Sequence, residues 1–178
     1  YVKFLRLSQF FVETAGKGIV GMITDHSYLD SPTFRGLRNS FYRSFSLIRV
    51  LDLHGNSLRR ETNPEGGVDD NVFEIMQGVA VGLFVKNDNH CGRQATYTDL
   101  WGSRSTKYQR LLENFNLKKD WRNMAPKSPF FLFTPVNSSA VDEYASGWLI
   151  TDIFPIGSNG VQTSRDSLVV APSREEIT

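Results

Sequence analysis

The residues best suited to chemistry surround a polar stretch that ends in a phenylalanine. Asp69 and Asp70 lead into Asn71-Val72-Phe73, and the apolar run GVAVGLFV (residues 78–85) follows. An aromatic ring at the mouth of a strand, beside a long polar loop, can stack on a base rotated out of a duplex. The competing reading of Phe73 is ordinary core. Arg59 and Arg60 lie in the same loop (residues 54–70), from which guanidinium groups can reach backbone phosphates. They end a series of arginines (Arg35, Arg38, Arg43, Arg49, Arg59, Arg60) in a stretch whose only acids are Asp52 and Glu61, near its end. A second basic group comprises Arg104, Lys107, Arg110, Lys118, Lys119, Arg122 and Lys127. Solvated helix faces account for most of these charges; Arg59 and Arg60 are the best placed for phosphate.

Other chemical signals are weaker. Gly16-Lys17-Gly18-Ile19-Val20-Gly21 fits G-x-G-x-x-G, but the glycines follow a predicted helix and open a strand. A phosphate loop needs the reverse order, so that the anion meets a helix amino terminus. Asp25, His26 and Ser27 have the residue types of a catalytic trio, yet neighbours in a chain point apart and working triads converge from separate segments. They read instead as a loop at the carboxyl end of a strand, where open α/β sheets bind ligands. The three histidines, His26, His54 and His90, lack metal-ligand spacing. Neither a metal site nor a catalytic residue is assigned. The lone Cys91 excludes an internal disulfide and a cysteine zinc site, and reads as a free thiol in a reducing cytosol.

The elements that must position these residues are legible from periodicity. Residues 1–15 predict a helix with Phe4, Leu7 and Phe11 at helical spacing and Leu5 and Val12 beside them. Residues 18–24 predict a buried strand. Ser31-Pro32 starts a second helix, with Phe34, Leu37, Phe41 and Phe45 buried and Arg35, Arg38 and Arg43 largely off that stripe. Residues 46–53 are the next strand. The run at 78–85 is apolar on both faces, which suits a strand in a sheet covered on both sides. Alternation over 95–101 predicts an edge strand or hairpin partner. Residues 103–115 predict a helix with Tyr108, Leu111, Leu112 and Phe115 inward. Beyond residue 116, Pro126, Pro129, Pro135 and Pro155 break up the pattern. The expectation is therefore an α/β domain over 1–115 and an irregular C-terminal extension over 116–178. With 178 residues and a net charge of +1, the composition says little about partners. No apolar run approaches the roughly 20 residues of a membrane span, so a cytoplasmic protein without a membrane partner is expected. The chain opens mid-helix without a cap, as a fragment would. Three strands would leave an unpaired sheet edge, which predicts self-association or a partner that supplies the missing strands.

Four segments together carry a family resemblance: GIVGMITDHSYLD (18–30), TFRGLR (33–38), VLDLHGN (50–56) and DNVFEIMQGVAVGLFVK (70–86). KYQRLL (107–112) and GVQTSRD (160–166) extend it more weakly. The chain resembles the later half of a gamma-type DNA adenine-N6 methyltransferase domain, as in single-polypeptide type I (type ISP) restriction-modification enzymes. The resemblance implies a partial Rossmann-like methyltransferase fold, the later strands of a seven-stranded mixed sheet. Residues 18–24 would be the fifth strand, 46–53 the sixth and 78–86 the seventh, antiparallel one. It implies S-adenosylmethionine as the cofactor of the intact parent and double-stranded DNA and the remainder of the parent polypeptide as partners. The family's cofactor glycine motif and its Asn/Asp-Pro-Pro-Tyr/Phe catalytic motif are not present; Asn63-Pro64-Glu65-Gly66 is no substitute. By the same resemblance Phe73 matches the aromatic that packs on the extruded adenine, and Phe4 is the candidate for cofactor contact. Residues after about Asn116 would lead towards a target-recognition region. The alternatives are a non-catalytic nucleic-acid-binding or assembly module of the same shape, and an unrelated α/β domain acting on a small ligand.

Overall fold

The computed structural model describes residues 1–87, 92–113, 121–136, 143–144 and 146–157. His90, Cys91, Phe115, Lys118, Lys119 and the 160–166 segment lie outside the described residues. Chain contacts divide the molecule into two units, residues 1–136 and 137–178. In the second unit the described residues include one helical turn, Ile150–Ile153.

The first unit is built on a five-stranded mixed sheet. Its strands are β1 (Gly18–Asp25), β2 (Leu47–His54), β3 (Val79–Lys86), β4 (Gln94–Asp99) and β5 (Arg122–Asn123). Their spatial order is β1-β3-β2-β4-β5. β3 runs antiparallel to both β1 and β2, which are therefore parallel to each other. With both edges of β3 taken, the chain leaving it passes to the far side of β2. There β4 pairs in parallel, Leu47 with Gln94 through Asp52 with Asp99. The 95–101 segment is thus neither a hairpin partner nor an edge strand: β5 pairs on its outer side.

Three α-helices accompany the sheet: α1 (Val2–Ala15), α2 (Arg35–Ser44) and α3 (Arg104–Leu112). α1 and α2 cover one sheet face. Leu5, Val12, Phe41, Phe45, Ile48, Val50, Ala80 and Phe84 form the main core there. Phe84 meets the rings of Phe41 and Phe45 at 4.9 and 5.5 Å. Leu53, Val72, Val79 and Leu100 make a smaller cluster with Leu51 and Val81 on the opposite face. That face is covered only in part, since Ile19 and Ile23 are 69% and 58% exposed. The double coverage suggested by the apolar run of β3 is correspondingly incomplete.

α2 buries the expected Phe41 and Phe45, with Phe34 and Leu37 packed against the core, whereas α1 and α3 bury other faces than expected; in all three helices a polar side chain is buried that periodicity did not mark. In α1 the buried residues are Leu5, Gln9 and Val12, while Phe4, Leu7 and Phe11 are exposed. Gln9 donates to the hydroxyls of Ser40 and Ser44 on α2 at 2.9 and 2.6 Å, and Ser44 donates to Glu13 at 2.5 Å. The helices therefore meet along a hydrogen-bonded seam. In α2, Arg38 is fully buried. Its guanidinium donates to the carbonyls of Tyr28, Ser31, Phe130 and Phe131 at 2.7–3.0 Å, tying the 130–131 segment to the turn after β1. In α3 the buried side chain is Lys107; Tyr108, Leu111 and Leu112 are exposed.

Candidate nucleic-acid interface

The parallel strands β1, β2 and β4 end on one side of the sheet, and the loops that follow them gather there. After β1 come the 3₁₀ turn His26–Leu29 and a second one, Pro32–Phe34. After β2 the chain makes a long excursion, residues 55–78, before re-entering the sheet as β3. Leu100 and Trp101 follow β4. The Tyr1 hydroxyl lies 2.9 Å from the Ser27 hydroxyl, so the amino end of α1 reaches the same side.

The start of the excursion is held from below by a buried polar network. The last turn of β2 breaks register at Asp52–His54. His54 and Gly55 then take positive φ, 51° and 78°. Gly55 is required on two counts: that backbone region favours glycine, and a Cβ there would strike the backbone of Asn71. The reversal aims the side chain of Asp52 at His26, whose Nδ1 is 3.1 Å away, and brings the His54 backbone N–H to the same carboxylate at 3.0 Å. His54 Nδ1 lies 3.0 Å from Glu61, which also accepts the Asn56 backbone N–H at 2.9 Å. The His54 ring stacks on Trp101 at 3.4 Å. Tyr97 donates its hydroxyl to Asp52 at 3.3 Å. Gly78 leaves room for the His26 ring, which a Cβ would strike.

Asn56 fixes the polarity of this network. Its Oδ1 accepts the Arg59 N–H at 3.1 Å, so its Nδ2 faces His26 Nε2 at 3.1 Å as the donor. In its neutral form His26 therefore accepts at Nε2 and carries its proton on Nδ1, towards Asp52. Burial pushes the His26 pKa down, but the hydrogen bond and charge of Asp52 outweigh it and leave the pKa raised. Burial likewise pushes Glu61 up, and the bonds from His54 and the Asn56 N–H bring it below its ordinary value. The Tyr97 hydroxyl is raised by burial and by the Asp52 charge, which keeps it a donor.

The end of the excursion is held from the side by α3. The Lys107 ammonium and the Asp69 carboxylate, both with fully buried side chains, pair at 2.8 Å. Lys107 also donates to the carbonyls of Leu53 and Asp70 at 2.7 and 2.6 Å, which uses its three donors. Asp69 accepts the N–H groups of Gly55 and Gly102 at 2.7 and 2.8 Å. Arg104 donates to the carbonyls of Asn71 and Phe73 at 2.8 and 3.1 Å, and Tyr108 donates to that of Val72 at 2.6 Å. Asn71 closes the turn, accepting the Phe73 N–H at 2.8 Å and donating to Gly55 and Gln77.

Above these supports lies the rim. Phe73 is 43% exposed, which removes its reading as ordinary core. Ile75 and Met76 are exposed beside it in sequence. Arg59 ends the 3₁₀ turn Ser57–Arg59 and lies 3.5 Å from Asp30, with both side chains about half-exposed. Arg60 follows at φ 51° and is exposed. Phe4 is exposed on α1, outside the loops that carry the other three. Asp25, His26 and Ser27 have separate partners: Asp25 accepts the Ser27 N–H, His26 turns to Asp52, and Ser27 meets Tyr1.

The sequence reading missed Asp52, His54, Asn56 and Glu61 as a group. Its signal was a carboxylate inside an apolar strand, two residues before the second histidine. His26 and His54, read as far apart, are joined through Asp52. His26, Asp52 and His54 each offer a ligand atom within 4.8 Å of one another. Hydrogen bonds already occupy both His26 nitrogens, Asp52 and His54 Nδ1, and among the described residues only His54 Nε2 in this trio lacks a partner. The set is therefore a hydrogen-bond chain with one buried atom, His54 Nε2, left unpartnered.

No family model and no curated protein matches the chain. Solved structures do. The chain is similar to the ATP-dependent Type ISP restriction-modification enzyme LlaBIII bound to DNA, with 25% identity and a TM-score of 0.66 over 80% of this chain and 10% of that one. It is similar to DrdV in a complex with DNA, at 24% and 0.63 over 76% of this chain and 13% of that one. A third match is a nuclease-deletion mutant of the Type ISP restriction-modification enzyme LlaGI with a DNA substrate mimic, at 23% and 0.60 over 76% of this chain and 14% of that one. The likeness is one of fold, and the chain spans between a tenth and a seventh of the length of these proteins. Among the described residues no helix is long and apolar enough to cross a membrane.

Proposed function

We propose that this chain is the later part of a DNA adenine-N6 methyltransferase domain in a restriction-modification enzyme, and that its loop-bearing sheet end faces duplex DNA. The observation that carries the reading is the placement of β3, reversed between the parallel strands β1 and β2. That is the arrangement of a final antiparallel strand inserted between the fifth and sixth of a Rossmann-like methyltransferase sheet. The likeness to structures of DNA-bound Type ISP enzymes supports the same assignment.

In this reading Phe73 stacks on the extruded adenine, replacing the neighbours that the base loses. Arg59 and Arg60 contact backbone phosphates and set register without reading sequence. S-adenosylmethionine would supply the methyl group, but the residues described do not make a pocket for it. Phe4 alone is a candidate contact, and no glycine loop follows a strand and opens a helix. In this reading the rest of the longer polypeptide would supply the cofactor site and would also pair with the outer edge of β1. In a chain without that remainder, the open edge would favour self-association.

The test is methyl transfer from labelled S-adenosylmethionine to adenine in duplex DNA by the longer polypeptide. Phe73→Ala is expected to lower the rate about tenfold or more, given roughly 1–3 kcal/mol for stacking a base on an aromatic ring. Wild-type transfer by a normally folded Phe73→Ala variant removes the stacking role. Failure of the intact polypeptide to methylate adenine in any duplex favours instead a non-catalytic nucleic-acid-binding module of this fold.

A further inference from the structure

Four consecutive carbonyls around the exposed ring are taken by one face of α3. Lys107 holds that of Asp70, Arg104 that of Asn71, Tyr108 that of Val72, and Arg104 again that of Phe73. Residues 104, 107 and 108 are spaced so that their side chains rise from one side of a helix. The Arg104 backbone N–H points at the Asp70 carboxylate at 3.3 Å, and its guanidinium approaches Glu74 at 3.6 Å. A strand edge or a packed apolar face would have held this segment through one or two contacts. Here every carbonyl from 70 to 73 has a side-chain donor on the same helix.

This arrangement does more than stability requires. Lys107, fully buried with Asp69, is sufficient to anchor the segment to the sheet. Arg104 and Tyr108 are 40% and 45% exposed, so water could satisfy the carbonyls that they hold. What water would not do is fix the peptide planes on either side of Phe73. Fixing them fixes the direction of its Cα–Cβ bond, and a ring that must meet a base face to face gains from being aimed in advance.

We infer that Arg104 and Tyr108 are positioning residues for base stacking: they aim Phe73, and their loss loosens the ring without unfolding the chain. The inference rests on the proposed role of Phe73. It assigns to α3 a part in base capture for which neither its exposed apolar residues nor its charge gave a signal.

The experiment uses the 178-residue chain and a duplex carrying 2-aminopurine opposite an abasic position, where extrusion costs least. 2-Aminopurine brightens when it leaves the base stack and is quenched again where it stacks on an aromatic ring, so quenching of the extruded base at saturating protein reports the stacked fraction separately from affinity. Tyr108→Phe removes one hydroxyl. Arg104→Gln keeps part of the stem but not the two-carbonyl fork. The double variant is expected to raise the Kd about tenfold, the cost of ordering on binding a ring that is no longer aimed in advance, and to reduce the quench at saturation while the thermal midpoint stays within a few degrees. Phe73→Ala should abolish the quench. If Phe73→Ala abolishes it and the double variant keeps both quench and Kd, the positioning inference is overturned and the role of Phe73 survives. If Phe73→Ala matches wild type, no base stacks there, and the reading and the inference fall together.

Discussion

The excursion between β2 and β3 is held at its two ends by different chemistry. Its start, His54 to Glu61, rests on imidazoles, carboxylates and a carboxamide whose hydrogen-bond directions depend on where one proton sits. Its end, Asp69 to Phe73, rests on ammonium, guanidinium and phenol donors aimed at carbonyls, a pattern with only one possible polarity. The first support can change with pH near neutrality and the second is built without a histidine. Between them, Glu65 to Val68 lies exposed. A loop that carries Arg59 near one support and Phe73 beside the other can thus have the proposed phosphate contacts and the proposed base contact disturbed separately.

The largest expected effect tests the second support. Lys107→Met leaves the Asp69 carboxylate buried without its cation and strands the carbonyls of Leu53 and Asp70. Breaking a buried pair from one side costs about 3–5 kcal/mol. Urea unfolding should show a loss of this size. A loss below 1 kcal/mol would mean that water replaces the ammonium and that the two supports do not differ in the way described.

The next effect tests the first support, and its sign follows from the direction of each shift. His26 is raised above its ordinary 6.5, so its contribution to stability is complete below about pH 6.5 and is lost as pH rises through the raised value. Glu61 is lowered from 4.5, so its contribution is complete above about pH 4.5 and is lost as pH falls through the lowered value. Both are present between these limits, which predicts greatest stability there. Glu61→Gln removes the charge and leaves one accepting oxygen where His54 and the Asn56 N–H had two, and should cost about 1–3 kcal/mol at pH 6. It should also flatten both flanks of the pH profile, because the Glu61 charge helps to raise His26. Unfolding curves from pH 4 to 8 decide this; an unchanged profile would place the titrating groups elsewhere.

The same comparison explains what could be read from the sequence. β1, β2 and β3 were legible to within about a residue because their apolar runs are set by the core. The apolar face of α2 was legible too, but the buried faces of α1 and α3 and the burial of Arg38 were not, and in each case the deciding contact was polar. Gln9 with Ser40 and Ser44 turned α1 so that Phe4 and Phe11 face outward. Arg38 went inward because four carbonyls, two from the preceding turn and two from the distant 130–131 segment, converge on it, and Lys107 because it pairs with the buried Asp69. Hydrophobic periodicity carries no information about such partners, which lie 31, 92 and 38 residues away for Gln9–Ser40, Arg38–Phe130 and Lys107–Asp69. The parallel pairing of β4 was hidden for a related reason: alternation shows that a segment is a strand, not which edge it joins. At the candidate interface the sequence exposed the rim, Phe73 with Arg59 and Arg60, and concealed the network beneath it. Rim residues are defined by their own chemistry, whereas His26 and Asp52 acquire meaning only from each other.

The smallest effect on stability belongs to the rim, and there the contrast with the two supports is sharpest. Arg59 has one long pairing to Asp30 between side chains about half in water, which is worth little. Arg59→Ala with Arg60→Ala should therefore leave unfolding within about 0.5 kcal/mol of wild type. Each phosphate contact releases about 0.9 counterion from duplex DNA. If both arginines make such contacts, the slope of log Kobs against log salt becomes shallower by about 2, with a nearly uniform loss of affinity across sequences. Phe73→Ala should do the opposite, lowering affinity for a duplex with an extrudable base while leaving the salt slope unchanged. A double variant that keeps the wild-type slope marks Arg59 and Arg60 as solvated surface. Phosphate contacts would then have to come from other basic residues, and the two ends of the excursion would no longer divide the work between backbone and base.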